Sequence, residues 1–134
     1  MIYSNIPTYN FTKRQLNKIV RLSLKFCKDK FGVNNKKWNP LNLSIVYDVD
    51  DGYLGMYYPK TNEIEIYPDA CYSIGRFTST IIHEYIHTLQ NQDTRVYSRL
   101  LKEHGYMDHP QEVEARYYEK KFNRELLRYL RDNW

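Results

Sequence analysis

Ile81-Ile82-His83-Glu84-Tyr85-Ile86-His87, IIHEYIH, is the stretch on which the reading of this chain turns. Two histidines four apart on a helix lie on one face, about one turn from each other, so both imidazoles can reach a single ion. Taking about 100° per residue with His83 at zero, His87 falls at about 40° and Glu84 at about 100°. Ile81, Tyr85, Leu89, Ile82 and Ile86 then fill roughly 160° to 300°. Chemistry and core thus occupy separate arcs of one helix, a partition that two coincidental histidines need not show. The alternative is one histidine bonded in the core and the other on the surface.

Working outward, the pattern predicts a helix over residues 75–92 carrying this motif. Before it, Glu63-Ile64-Glu65-Ile66-Tyr67 alternates strictly and reads as a strand closed by Pro68. No further strand follows, so this one is expected at an exposed sheet edge. Residues 53–58 read as a second short strand, joined to it by a hairpin turn at Pro59-Lys60-Thr61-Asn62. Leu41, Leu43, Ile45 and Tyr47 alternate with polar neighbours as a third. Thr12 with Gln15 makes a capping-box pattern, and the apolar positions up to Phe31 follow helical spacing until Gly32 stops them. After the motif come a helical stretch over 96–103, a loop, and a final helix from Pro110 to about residue 131. The expected architecture is α+β: an N-terminal helix, a three-stranded, mainly antiparallel sheet with an exposed edge strand, the motif helix and a closing helix.

With 134 residues and no repeat or linker, the chain reads as one domain spanning 1–134. Its 42% hydrophobic and 27% charged content is ordinary for a globular protein, while 14 tyrosines point to an aromatic-lined groove. No apolar run approaches a membrane span, and the start MIYSNIPTYNF lacks the basic and apolar regions of a signal peptide, so a cytoplasmic setting is expected. The net charge of +4 is spread over helical segments in short runs, Lys36-Lys37 and Lys120-Lys121, which read as solvated faces rather than a nucleic-acid footprint. Cys27 and Cys71 form no metal-binding pair, and Cys27 falls on an apolar helix face as a core residue.

Two histidines leave a metal site one protein ligand short. Asp93 lies six residues past His87, where H-E-x-x-H-x-x-G-x-x-H/D proteins place their third ligand, but Gln90 replaces the glycine that turns the chain back. Met107 is a weak echo of a Met-turn. The other source is the final helix, where His109-Pro110-Gln111-Glu112-Val113-Glu114-Ala115 offers Glu112 in its first turn. Ala115, Phe122, Leu126 and Tyr129 form the apolar face of that helix, with Glu112 bordering it and Glu114 across from it. The wheel favours Glu112, and Asp93 and Glu114 stay open. An acid in a first turn also serves as a plain dipole partner.

His83-Glu84-Tyr85-Ile86-His87 followed by Glu112-Val113-Glu114-Ala115 resembles small gluzincin-type zinc metallopeptidases, with the ImmA/IrrE-like proteins nearest in size and order. The likeness includes the strand 62–67 and covers roughly residues 43–120; similar minimal zincins occur in phage and virus genomes. Position 116 is Arg, where related helices often carry Asp or Asn, so the group that orients a histidine is not evident. The SprT-like relatives, which act on DNA-bound proteins, usually add a cysteine-rich zinc ribbon, and two cysteines do not supply one.

The resemblance implies a zincin-like fold and peptide-bond hydrolysis at one zinc ion on His83, His87 and Glu112. Glu84 would be the general base toward a water whose pKa the metal lowers. The strand 63–67 would pair with an extended peptide or protein substrate by edge addition. Tyr106 and His109, with His104 and Arg116, are the candidates for stabilising the oxyanion. Two rivals stand beside this: a zincin-like module that has lost catalysis and serves in binding or in a virion, and a DNA-associated protease. Binding a metal alone does not require Glu84, and only the basic balance supports the second.

Overall fold

The computed structural model describes residues 2–35 and 38–134; the Lys36-Lys37 run lies outside them. Among the described residues, five helices and one three-stranded sheet make an α+β fold. After a short 3-10 turn at Thr8–Asn10 come α1 (Lys13–Phe31), β1 (Asn42–Ile45), β2 (Gly55–Tyr58) and β3 (Glu63–Ile66). They are followed by α2 (Pro68–Cys71), α3 (Ile74–Leu89), α4 (Thr94–His104) and α5 (Pro110–Asn133). None of these helices is long and apolar enough to cross a membrane.

The local chemistry of α1 is as the sequence predicts. The Thr12 hydroxyl accepts the Gln15 N–H at 3.1 Å, and the Gln15 side chain accepts the Thr12 N–H at 2.8 Å, so two otherwise orphaned donors are satisfied. Leu16, Ile19, Val20, Ser23, Phe26 and Cys27 are buried on one face. Gly32 ends the helix at φ 85°, in the left-handed region open to glycine. Cys27 and Cys71 are buried free thiols.

The sheet departs from expectation in two ways. Its order is β1-β3-β2, so β3 is the central strand and not an exposed edge. It is also mixed rather than mainly antiparallel: β1 runs parallel to β3, with Leu43 opposite Ile64, and β2 runs antiparallel to it, with Tyr57 opposite Ile64. The cause is that the chain places β2 by a hairpin on one flank of β3 while β1 occupies the other. The hairpin itself forms where the sequence places it. Asn62 takes φ 56°, accepts the Tyr57 hydroxyl at 2.9 Å and donates to the Asn39 carbonyl at 2.8 Å. Pro68 does more than end β3, because it occupies the first turn of α2, a helix the sequence pattern did not reveal.

Helix α3 is the hub, packed on β2, β3, α1, α2 and α5. Its Ile74, Phe77, Ile81, Ile82, Tyr85 and Ile86 are buried against Ile64 and Ile66 of the sheet and Ala115, Leu126 and Leu130 of α5. Each such large apolar side chain contributes about 1.5–3 kcal/mol of burial. β2 comes so close to α3 that a Cβ on Gly55 would stand 2.8 Å from the Thr80 methyl and 2.9 Å from the Glu65 carbonyl. This close approach lays the edge strand beside the polar arc of α3. By contrast α4 has no buried residue, so it lies on the body rather than in it.

Candidate metal centre

The buried apolar arc of α3 fixes its rotation, and that rotation turns His83 and His87 together toward α5. Their ring centroids are 4.9 Å apart. α5 starts beside them because His109 caps it, its side chain accepting the Gln111 N–H, and Pro110 fills the first helical position. Ala115, with no exposed surface, lets the two helices approach closely. One turn before it, Glu112 Oε1 stands 2.9 Å from His83 Nε2 and 3.3 Å from His87 Nε2. The Glu112 side chain is 5% exposed and each histidine 12%.

A second acid is close. The ligand-type atoms of His83, Glu84 and His87 lie within 4.8 Å of one another. Of the two carboxylates, Glu112 is the one bonded to both Nε2 atoms, while Glu84 lines the adjoining groove. The outer ring nitrogens are held as well. His83 Nδ1 is 3.0 Å from Glu119 Oε1, and His87 Nδ1 is 2.6 Å from Gln90 Oε1. Gln90 is in turn oriented by its own amide, which donates at 2.9 Å to both the Gln111 carbonyl and Glu114 Oε1.

The charges respond to this crowding. Burial alone would raise the Glu112 pKa, but hydrogen bonds from His83 and His87 hold it well below the usual carboxylate range. Burial alone would lower that of His83, yet Glu112 and Glu119 outweigh it and push it up to about 10. His87 is raised the same way, chiefly by Glu112 against burial. Glu84 is raised by burial, opposed by the two histidines.

Of the other residues singled out from sequence, Asp93 lines the groove but its carboxylate is engaged elsewhere. It caps α4, accepting the Arg95 N–H at 2.9 Å and pairing with the Arg95 guanidinium at 3.0 Å, which lowers its pKa. Glu114 reaches the centre only through Gln90. Tyr106 lines the groove with Glu84 and His87, and burial pushes its hydroxyl up to about 12. His109 does not line it: fully buried, it stacks on Tyr97 and donates to the Tyr97 carbonyl at 3.0 Å. His104 is exposed beside Glu103 at 3.8 Å, and Arg116 donates to the Met107 carbonyl.

Tyr97 and Glu119 at the site were not named from the sequence, and Gln90 entered there only as the replacement of an expected glycine. The Tyr97 hydroxyl donates to Glu112 Oε2 at 2.7 Å. Gln90 was legible as a residue one turn past His87, and Glu119 as one two turns past Glu112. Nothing in the sequence pointed to Tyr97, since the fold-back of α4 brings it in.

The donor set fits a divalent transition ion. At metal–ligand bonds of about 2.0–2.1 Å, tetrahedral geometry places ligand atoms roughly 3.3 Å apart. The observed 2.9 and 3.3 Å between Glu112 Oε1 and the two Nε2 atoms are close to that spacing. Both Nδ1 atoms face acceptors that can keep their protons, so an ion between the rings and Glu112 would take the place of the Nε2 protons that now face Glu112 Oε1. The groove beside the centre has a volume of about 410 Å³ and is walled by Gly55, Met56 and Tyr57 of β2 on one side and Tyr97, Tyr106 and Glu112 on the other. Comparison with protein-family models, with curated proteins and with solved structures gives no match.

Proposed function

We propose that this chain is a zinc-dependent metallopeptidase with a zincin-like arrangement of its site. The observation that carries the reading is the convergence of Glu112 Oε1 on both His83 Nε2 and His87 Nε2, with Glu84 buried next to them in the groove wall. His83, His87 and Glu112 would hold the ion. Bound there, zinc supplies Lewis-acid polarisation of a carbonyl and a lowered pKa for water.

The remaining chemistry belongs to the chain. Glu84 takes up a proton at its carboxylate and returns it to the leaving amine; burial raises its pKa toward that task. Tyr106 lines the same groove as the donor for negative charge developing on the substrate carbonyl, while the Tyr97 hydroxyl is engaged with Glu112. An extended peptide would pair with β2 and not with the strand 63–67, because both flanks of β3 are taken by β1 and β2.

The test is Glu84→Gln. This variant is expected to keep zinc at the wild-type level and to lose hydrolysis of an unstructured protein substrate such as casein by several orders of magnitude. Equal cleavage by both proteins would remove Glu84 from the reaction. A wild-type protein that holds zinc and cleaves nothing would favour the binding module.

A further inference from the structure

The centre has a second glutamate on α5 with no role in the reading above. Glu112 and Glu119 are seven residues apart, two turns, so they sit about 10.5 Å apart along the axis and only about 20° apart around it. Both therefore face α3, and the His83 imidazole is held between them, with Nε2 at 2.9 Å from Glu112 and Nδ1 at 3.0 Å from Glu119. Position 116, one turn after Glu112, is filled by Arg116, whose guanidinium turns to the Met107 carbonyl. Of the residues described around His83, Glu119 is the one whose carboxylate meets Nδ1.

We propose that Glu119 is the positioning carboxylate of this centre: it accepts the Nδ1–H of His83 and so fixes that ring's tautomer and rotation, with Nε2 presented beside Glu112. This rests on the metal-centre reading. A neutral imidazole has one N–H, and an ion on Nε2 requires that proton to sit on Nδ1. An anionic acceptor there also makes the ring a stronger donor. His87 is served differently, by the neutral carboxamide of Gln90 at 2.6 Å, so the two ligand histidines are inequivalent. Removing Glu119 should therefore cost the site more than removing Gln90.

The experiment measures zinc affinity by competition with a chromophoric chelator for wild type, Glu119→Ala, Glu119→Gln, Gln90→Ala and Glu112→Ala. It is paired with long-range 1H–15N spectra of the histidine rings in the zinc-loaded proteins. Glu119→Ala is expected to lose about 10- to 100-fold in affinity, with part of it restored in Glu119→Gln, whose carbonyl still accepts. The His83 Nδ1–H, protected from exchange in wild type, should exchange freely in Glu119→Ala. A Glu119→Ala protein that binds zinc like wild type, whatever happens to its melting temperature, overturns the proposal alone. Glu119→Gln and the ring spectra decide the matter if the alanine variant does not fold. A wild type that takes up no zinc overturns both the proposal and the centre.

Discussion

At the residue scale, Glu112 is the group on which the site closes, and its two oxygens are divided between different jobs. Oε1 meets the histidines and Oε2 accepts from Tyr97 at 2.7 Å. A hydrogen bond to a charged group contributes roughly 1.5–3 kcal/mol. Tyr97→Phe keeps the ring on His109 but removes that donor. It is expected to leave the fold intact and weaken zinc binding by about 10-fold, since 1.4 kcal/mol corresponds to that factor. Isothermal titration with zinc checks it, and unchanged affinity would show that Glu112 holds its position without Tyr97. Residues that act through others are harder to see in a sequence than ligands. H-E-x-x-H groups His83, Glu84 and His87 by spacing within one helix, and the wheel of the closing helix favours Glu112 while leaving Asp93 and Glu114 open. Tyr97 depends on how a surface helix folds back over the site, which no local pattern encodes.

At the element scale, the centre depends on two close approaches, α3 to α5 and α3 to β2. Ala115 is the contact point of the first, with no exposed surface. Ala115→Leu inserts a branched side chain into a filled space, at a cost of about 1–3 kcal/mol. The expected outcome is near-normal helix content by circular dichroism together with a clear loss of zinc affinity, because Glu112 is carried away from both histidines. Retained affinity would mean that the crossing of the two helices does not set the ligand spacing. The elements also show where sequence reading runs out. The capping box of α1, the hairpin at Asn62 and the start of α5 at Pro110 are local, and each is legible. The place of β3 is not, because strand order depends on where β1 returns to the sheet. The absence of a later strand suggested an edge, yet an earlier one fills it. Asp93, kept open as an alternative to Glu112, shows the same limit: a spacing that suits a third ligand also suits the N-cap of α4, and here Asp93 caps α4 and pairs with Arg95.

At the scale of the whole molecule, a small core and a buried polar centre are joined through α3, so metal binding and folding stability should be linked. An ion that binds the folded chain only, at about 100 times its dissociation constant, adds about 2.7 kcal/mol. For a domain of this size that is a rise in melting temperature on the order of 10 °C. A chelator should reverse the rise, and Glu112→Ala should abolish it. No change with zinc in a differential scanning experiment would separate the centre from the stability of the fold.

On the proposed reading, two histidines of α3 and one glutamate of α5 make a single metal centre. The most direct measurement is the metal content of the purified protein by mass spectrometry, after equilibration with zinc and removal of the excess. One zinc per chain is expected for wild type and for Glu84→Gln, and a small fraction of that for Glu112→Ala. Absence of zinc from the wild type, or a full complement retained by Glu112→Ala, would contradict it.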